Sequence, residues 1–156
     1  MHGAPHAVLY TSTRGRSSRK EWPLGAASFV LMTTTGTQQS IEALVQAQID
    51  AYNAHDAERF ASAHADDVRL YDLGGELYLY GREALRERYA LMFASAPGIR
   101  AEIVKRMVVG NVVIDEERIT GTESGRVAHA AVVYEVIDGL IRRVWVTRER
   151  SDGDDA

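Results

Sequence analysis

From Ile41 onward the apolar residues recur at helical spacing. Ile41, Leu44, Val45, Ile49 and Tyr52 form one stripe, which predicts an amphipathic helix with Ser40 as its N-cap. Asn53-Ala54-His55-Asp56 interrupts it. Asp56 is placed to cap a second short helix that turns Phe60, Ala61 and His64 inward and stops near Asp66-Asp67. The period then changes to two: Val68-Arg69-Leu70-Tyr71-Asp72 alternates into the turn Leu73-Gly74-Gly75-Glu76, and Leu77-Tyr78-Leu79-Tyr80 returns as a second strand. Gly81 opens a third helix with the stripe Leu85, Tyr89, Met92 and Phe93, which Pro97-Gly98 closes. Four strand-like runs follow, over 99–109, 112–121, 127–137 and 140–147, with turns at Gly110-Asn111, Thr122 to Gly125 and Asp138-Gly139. The order α-α-β-β-α-β-β-β-β predicts an α+β fold, with helices on one face of a mostly antiparallel sheet.

In the run 127–137 both alternating sets are largely apolar: Ala128, Ala130, Val132, Tyr134 and Val136 on one face, Val127, Ala131, Val133 and Ile137 on the other. An antiparallel sheet with one wet face alternates apolar and polar residues, so this one is expected to be covered on both sides. A homodimer through the outer sheet face is one solution, and a barrel-like bend is the other.

Length and charge add an appendage to this domain. The chain has 156 residues and a net charge of −4, with 46% apolar and 26% charged residues, an ordinary globular composition. Residues 1–40 hold four bases (Arg14, Arg16, Arg19, Lys20) against Glu21, which leaves 14 bases and 21 acids, a net −7, in the rest. An acidic body argues against nucleic acid as a partner. The basic segment 1–37 is expected to be a disordered leader, in preference to a targeting segment or an interaction tail. Residues 150–156 read as a disordered acidic tail, and the domain as 38–149. No run reaches the roughly 20 apolar residues of a membrane helix, so a cytoplasmic protein without a membrane partner is expected. With no cysteine, no Glu-x-x-His spacing and no His-x-x-x-His spacing within 38–149, neither a metal nor another cofactor is expected.

Polar residues interrupt the apolar stripes at Gln48, His64, Asp72 and Tyr89. A buried polar group without a partner costs about 1–3 kcal/mol, so several on elements packed around one interior point to a shared hydrated cavity. Each also has a plain structural reading. Gln48 at the edge of its stripe reaches water, His64 is a satisfied core histidine, Tyr89 fills the core, and Asp72 caps the turn that follows it. His55 reads as an exposed turn residue, His129 as an interface residue, and Glu116 with Arg118 as a pocket or rim pair on the face of Val112 and Ile114.

The segments Ala51-Tyr52-Asn53-Ala54-His55-Asp56, Ala65-Asp66-Asp67-Val68, Tyr71-Asp72, Gly81-Arg82-Glu83-Ala84-Leu85 and Asp138-Gly139-Leu140-Ile141-Arg142-Arg143-Val144-Trp145 occur in this order and spacing. In them the chain resembles the SnoaL-like and steroid delta-isomerase-like branch of the nuclear transport factor 2 superfamily. The resemblance implies a cone-shaped fold with an apolar pocket, usually dimeric. It implies an isomerase, cyclase or dehydratase acting without cofactor on a steroid- or polyketide-like carbonyl compound. Asp72 matches the general base of the ketosteroid isomerases, Tyr89 a tyrosine of the oxyanion network, and His64 another aromatic of that network. The oxyanion donors of those enzymes are a tyrosine and a protonated aspartate. At their places stand Gln48 and Val132, so the carbonyl oxygen falls to Gln48, His64 or Tyr89. Tyr52, Phe60, Met92, Val132 and Trp145 would complete the substrate pocket. A non-catalytic small-molecule-binding or dimerisation domain of the same fold is the alternative. Asp72 serves as base only if its carboxylate opens into the cavity; a filled cone, or Asp72 bonded only to turn amides, would end the enzyme reading.

Overall fold

The computed structural model describes residues 24–147, with side chains from Gln38 onward. Three helices, α1 (Leu24–Asn53), α2 (Ala57–Ser62) and α3 (Arg82–Ser95), accompany six strands, β1 (His64–Asp72), β2 (Leu77–Tyr80), β3 (Arg100–Val109), β4 (Val112–Thr120), β5 (Ala128–Ile137) and β6 (Leu140–Val146). The element order is the one the periodicity predicts.

Two boundaries differ from expectation. Ser40 lies inside α1 and does not cap it: the Thr-rich run before it, with Gly36, costs a helix about 1 kcal/mol or less per residue and does not stop it. His64 opens β1 instead of riding on α2, whose last turn closes at Ala63; Asp66 and Asp67 therefore belong to a strand. The Asp56 carboxylate accepts from Arg59 N, capping α2 as its sequence suggests. The readings for residues 1–23 and 150–156 lie outside the described residues. Among the described residues no helix is long and apolar enough to cross a membrane.

The strands form one sheet in the order β2-β1-β6-β5-β4-β3, antiparallel except where β1 meets β6 in parallel. The core lies between the inner sheet face and the helices: Val45 and Tyr52 of α1, Phe60 of α2 and Leu85 and Phe93 of α3 pack on Val68, Leu70, Val113, Val132, Tyr134 and Val144. The end of α1 is pinned to the sheet by Asn53, whose Nδ2 donates to Ala101 O and whose Oδ1 accepts from Ala101 N. His55 is half-buried, not an exposed turn residue: it stacks on Phe93 at 5.2 Å, with Nε2 2.8 Å from Ile99 O.

A bulge in β3 keeps the inward residues of that strand in phase with those of the next. The two-residue turn Gly110-Asn111 pairs Val109 with Val112, and this register continues to Arg106 opposite Asp115 and Lys105 opposite Glu116. Val104 is then the extra residue, and Ile103 pairs with Glu117. Without the extra residue Ala101 and Arg106, of opposite parity, would face opposite ways. With it both point inward, Ala101 against Ile119 and Arg106 against Asp115.

Candidate functional site

A cavity of about 170 Å³ lies between the helices and the inner sheet face. Gln48, Tyr52, Phe60, His64, Tyr89, Met92 and Val132 line it, together with Leu70, Leu85, Glu117, Ile119, Ala130, Tyr134 and Val144. The aromatic wall is continuous: Phe60 lies 4.1 Å from Tyr89 and 5.1 Å from His64, and Tyr52 meets Phe60 and Tyr89 at 6.1 Å each.

Two expected site residues are elsewhere. Asp72 ends β1 at the hairpin, where Oδ1 accepts from Glu76 N at 2.8 Å and its backbone exchanges hydrogen bonds with Gly75 and Glu76. It is not among the residues that line the cavity, and its carboxylate is bonded to the turn. Trp145 alternates with the inward Val144 and Val146, and so lies on the outer face, stacked on Tyr71 at 5.6 Å. The parity that puts Val144 in the core puts Trp145 out of the pocket.

The carboxyl that does reach the cavity is Glu117, only 6% exposed. On β4 the inward set is Val113, Asp115, Glu117 and Ile119, so Glu116 and Arg118 face outward, with Arg118 paired to Glu102. The expected pocket pair is thus one residue out of phase. Glu117 Oε1 accepts from the Tyr134 hydroxyl at 2.8 Å. Burial pushes the Glu117 carboxyl up to about 7; Tyr134 opposes this shift, Asp115 adds to it and Arg106 reduces it. The hydroxyls of Tyr52, Tyr89 and Tyr134 are held well above their ordinary range, first by burial and then by neighbours that include Glu117, and stay protonated.

Asp115, fully buried beside this group, belongs to the scaffold. Arg106 clasps it with two bonds of 2.7 Å from Nε and Nη2, and Arg106 Nη1 donates onward to Gln46 Oε1 on α1. The fork ties helix to sheet, and Asp115 is not among the residues that line the cavity.

His64 and Gln48 complete the polar wall. His64 Nδ1 donates to Phe60 O at 3.0 Å, and burial lowers its pKa to about 4, so the ring is neutral and Nε2 is an acceptor. Gln48 is 4% exposed, and its Oε1 has no hydrogen-bond partner among the described residues. Among the described residues no group of acids and histidines could hold a metal ion.

Sequence reasoning passed over Glu117 and Tyr134, because β4 begins Val112-Val113-Ile114 and both parities look equally apolar. The two-residue Gly110-Asn111 turn sets Arg106 across from Asp115, so the two share a face, and burial shows that face to be the inner one.

The model of the SnoaL-like domain matches residues 45–144, which span all the elements of this site except the start of α1 and the last residues of β6. No curated protein matches the chain. Among solved structures, an uncharacterised cystatin-fold protein from Novosphingobium aromaticivorans is 29% identical, with a TM-score of 0.64 over 70% of this chain and 97% of its own. A candidate ketosteroid isomerase from Kribbella flavida is 22% identical (TM-score 0.59, 76% and 87% covered). A candidate polyketide cyclase from Sinorhizobium meliloti is 20% identical (TM-score 0.58, 67% and 93% covered). With the family model spanning helix, cavity and sheet alike, the chain belongs to the SnoaL-like family within the nuclear transport factor 2-like fold.

Proposed function

We propose that the protein is a cofactor-independent isomerase or cyclase-type enzyme acting on a small carbonyl compound, with Glu117 as the group that moves the proton. One observation carries this reading: a carboxyl walled into an apolar cavity, bonded by Tyr134 and titrating near neutrality, where a general base is most effective. In its ionised form Glu117 takes a proton from a carbon next to the carbonyl, and the C–H electron pair moves onto the carbonyl oxygen. The neutral Tyr52 and Tyr89 hydroxyls, on the same wall, are donors for that oxygen. The proton returns from Glu117 to carbon, and no co-reactant is consumed. The similar structures named after isomerases and cyclases share the fold alone, since fold does not settle chemistry. The test is exchange of α-hydrogens for deuterium in a panel of cyclic ketones, followed by NMR with the full-length protein. Exchange above buffer that saturates with ketone supports the reading; binding without exchange would leave the protein a binding domain.

We also propose that the protein is a homodimer through the outer sheet face. The pairings set one apolar residue from each strand in a row across it: Leu77, Tyr71, Trp145, Val133, Ile114 and Met107. Leu77 and Met107, at the two ends, are each about half exposed. The next row holds Arg69, Arg143 and Glu135, so the apolar band has a charged border suited to an isologous contact. Val133→Glu is expected to convert a dimer to a monomer in light scattering. A wild-type protein that is already monomeric at micromolar concentration overturns the proposal.

A further inference from the structure

The cavity's one orphaned atom identifies the kind of molecule it takes. Gln48 sits on the inner stripe of α1, and its carbonyl oxygen is buried in the cavity wall without a donor. Leaving a buried acceptor unpaired is costly, and the cost is removed when a ligand brings the donor. His64 presents a second acceptor, because its Nδ1 is committed to Phe60 O and its ring is neutral. Among the described residues the unpartnered buried acceptor of the wall is Gln48 Oε1, and it calls for a hydroxyl or N–H on the ligand.

Size narrows the choice further. A volume of about 170 Å³ is close to the ~150 Å³ that holds a benzene-sized guest, and well below the roughly 300–1,000 Å³ of pockets for larger ligands. The aromatic wall of Phe60, Tyr89 and Tyr52 suits a flat or cyclic ligand. A four-ring steroid or an extended polyketide does not fit that space.

We infer that the ligand is a monocyclic hydroxy-ketone, or a compound of that size and pattern, whose hydroxyl donates to Gln48 Oε1 while the carbon next to its carbonyl lies toward Glu117. This rests on the reading of Glu117 above and adds the substrate class to it. Gln48 acts as a specificity residue: a ligand that cannot donate leaves Oε1 buried and unpaired, a penalty that sites built for a hydroxyl impose on analogues without one.

Calorimetric titration of the full-length protein with 4-hydroxycyclohexanone, its methyl ether 4-methoxycyclohexanone and the steroid androstenedione tests this. The hydroxy-ketone is expected to bind at least about tenfold more tightly than the ether, and androstenedione not at all. In Gln48→Leu the preference should shrink to within about twofold. That variant is expected to melt no lower than wild type because it removes an orphaned acceptor, and Gln48→Met serves if Leu packs badly. Equal affinity for alcohol and ether in the wild type, or a preference that survives in Gln48→Leu, overturns the inference. If α-hydrogen exchange persists in that case, the reading of Glu117 still stands. Tighter binding of androstenedione overturns the size argument alone and with it the inferred class. No binding by any probe, together with no exchange in the ketone panel, overturns both.

Discussion

Asp115→Ala is expected to lower the unfolding free energy by about 3–5 kcal/mol, on the order of 10–20 °C in melting temperature for a domain of this size. The reason is the charge left behind. Arg106 is only 11% exposed and spends both Nε and Nη2 on Asp115. Without the carboxylate its guanidinium sits between α1 and the sheet, with Gln46 Oε1 as its remaining acceptor. The desolvation already imposed on it is then uncompensated. Removing both partners should be milder: Arg106→Leu with Asp115→Val, two apolar residues in place of the fork, is expected to recover most of the loss. Urea unfolding of the wild type and these two variants measures this. A single substitution costing under about 1 kcal/mol would show that the fork contributes no more than an exposed ion pair.

Glu117→Gln is expected to reduce α-hydrogen exchange or turnover by about 10²–10⁴-fold, the range for losing a positioned general base. The substitution keeps the side chain's shape and its acceptor for Tyr134, so binding of the ketone should change by less than about threefold. A fall in turnover without a fall in affinity separates chemistry from architecture. Asp72→Asn is the informative counterpart. Its oxygen still accepts from Glu76 N, and it lies off the cavity, so turnover should match wild type. If Asp72→Asn abolishes exchange and Glu117→Gln does not, the base is Asp72 after all.

How much of this was legible in the chain depends on what each residue's signal was tied to. Gln48, Tyr52, Phe60 and Tyr89 lie on stripes of period 3.6, and a stripe carries its polar interruptions into the interior with it. His64 reached the cavity by a different route, as the first residue of β1, because the helix before it is six residues long and closes a turn sooner than the apolar spacing implies. Glu117 is a question of strand phase. Its strand starts with Val112, Val113 and Ile114, apolar on both faces, so the alternation of β4 itself does not show which face is inward. Asp72 was ambiguous for a chemical reason, since an aspartate before a Gly-Gly turn is equally fitted to accept from a backbone amide and from a substrate. Trp145 was misplaced because a bulky aromatic is read as core, while an outer face that is itself apolar can hold one.

Two of the buried titratable groups of the cavity, Glu117 and His64, are shifted in opposite directions and offset each other's proton exchange on unfolding. Between about pH 4.5 and 7 folded Glu117 keeps a proton that the unfolded chain has released, so its contribution to stability falls as pH rises through that window, by about 3 kcal/mol in all. Between about pH 4 and 6.5 folded His64 refuses a proton that the unfolded chain takes up, so its contribution falls as pH drops through that window, by a similar amount. Over the shared range the slopes cancel, and one proton lost is matched by one gained. In His64→Gln the compensation is gone. That variant should lose about 3 kcal/mol between pH 4.5 and 7, against less than about 1 in the wild type, and urea midpoints at the two pH values read the difference directly. A cavity built this way keeps a neutral-range acid at its centre without making the fold itself a sensor of acidity.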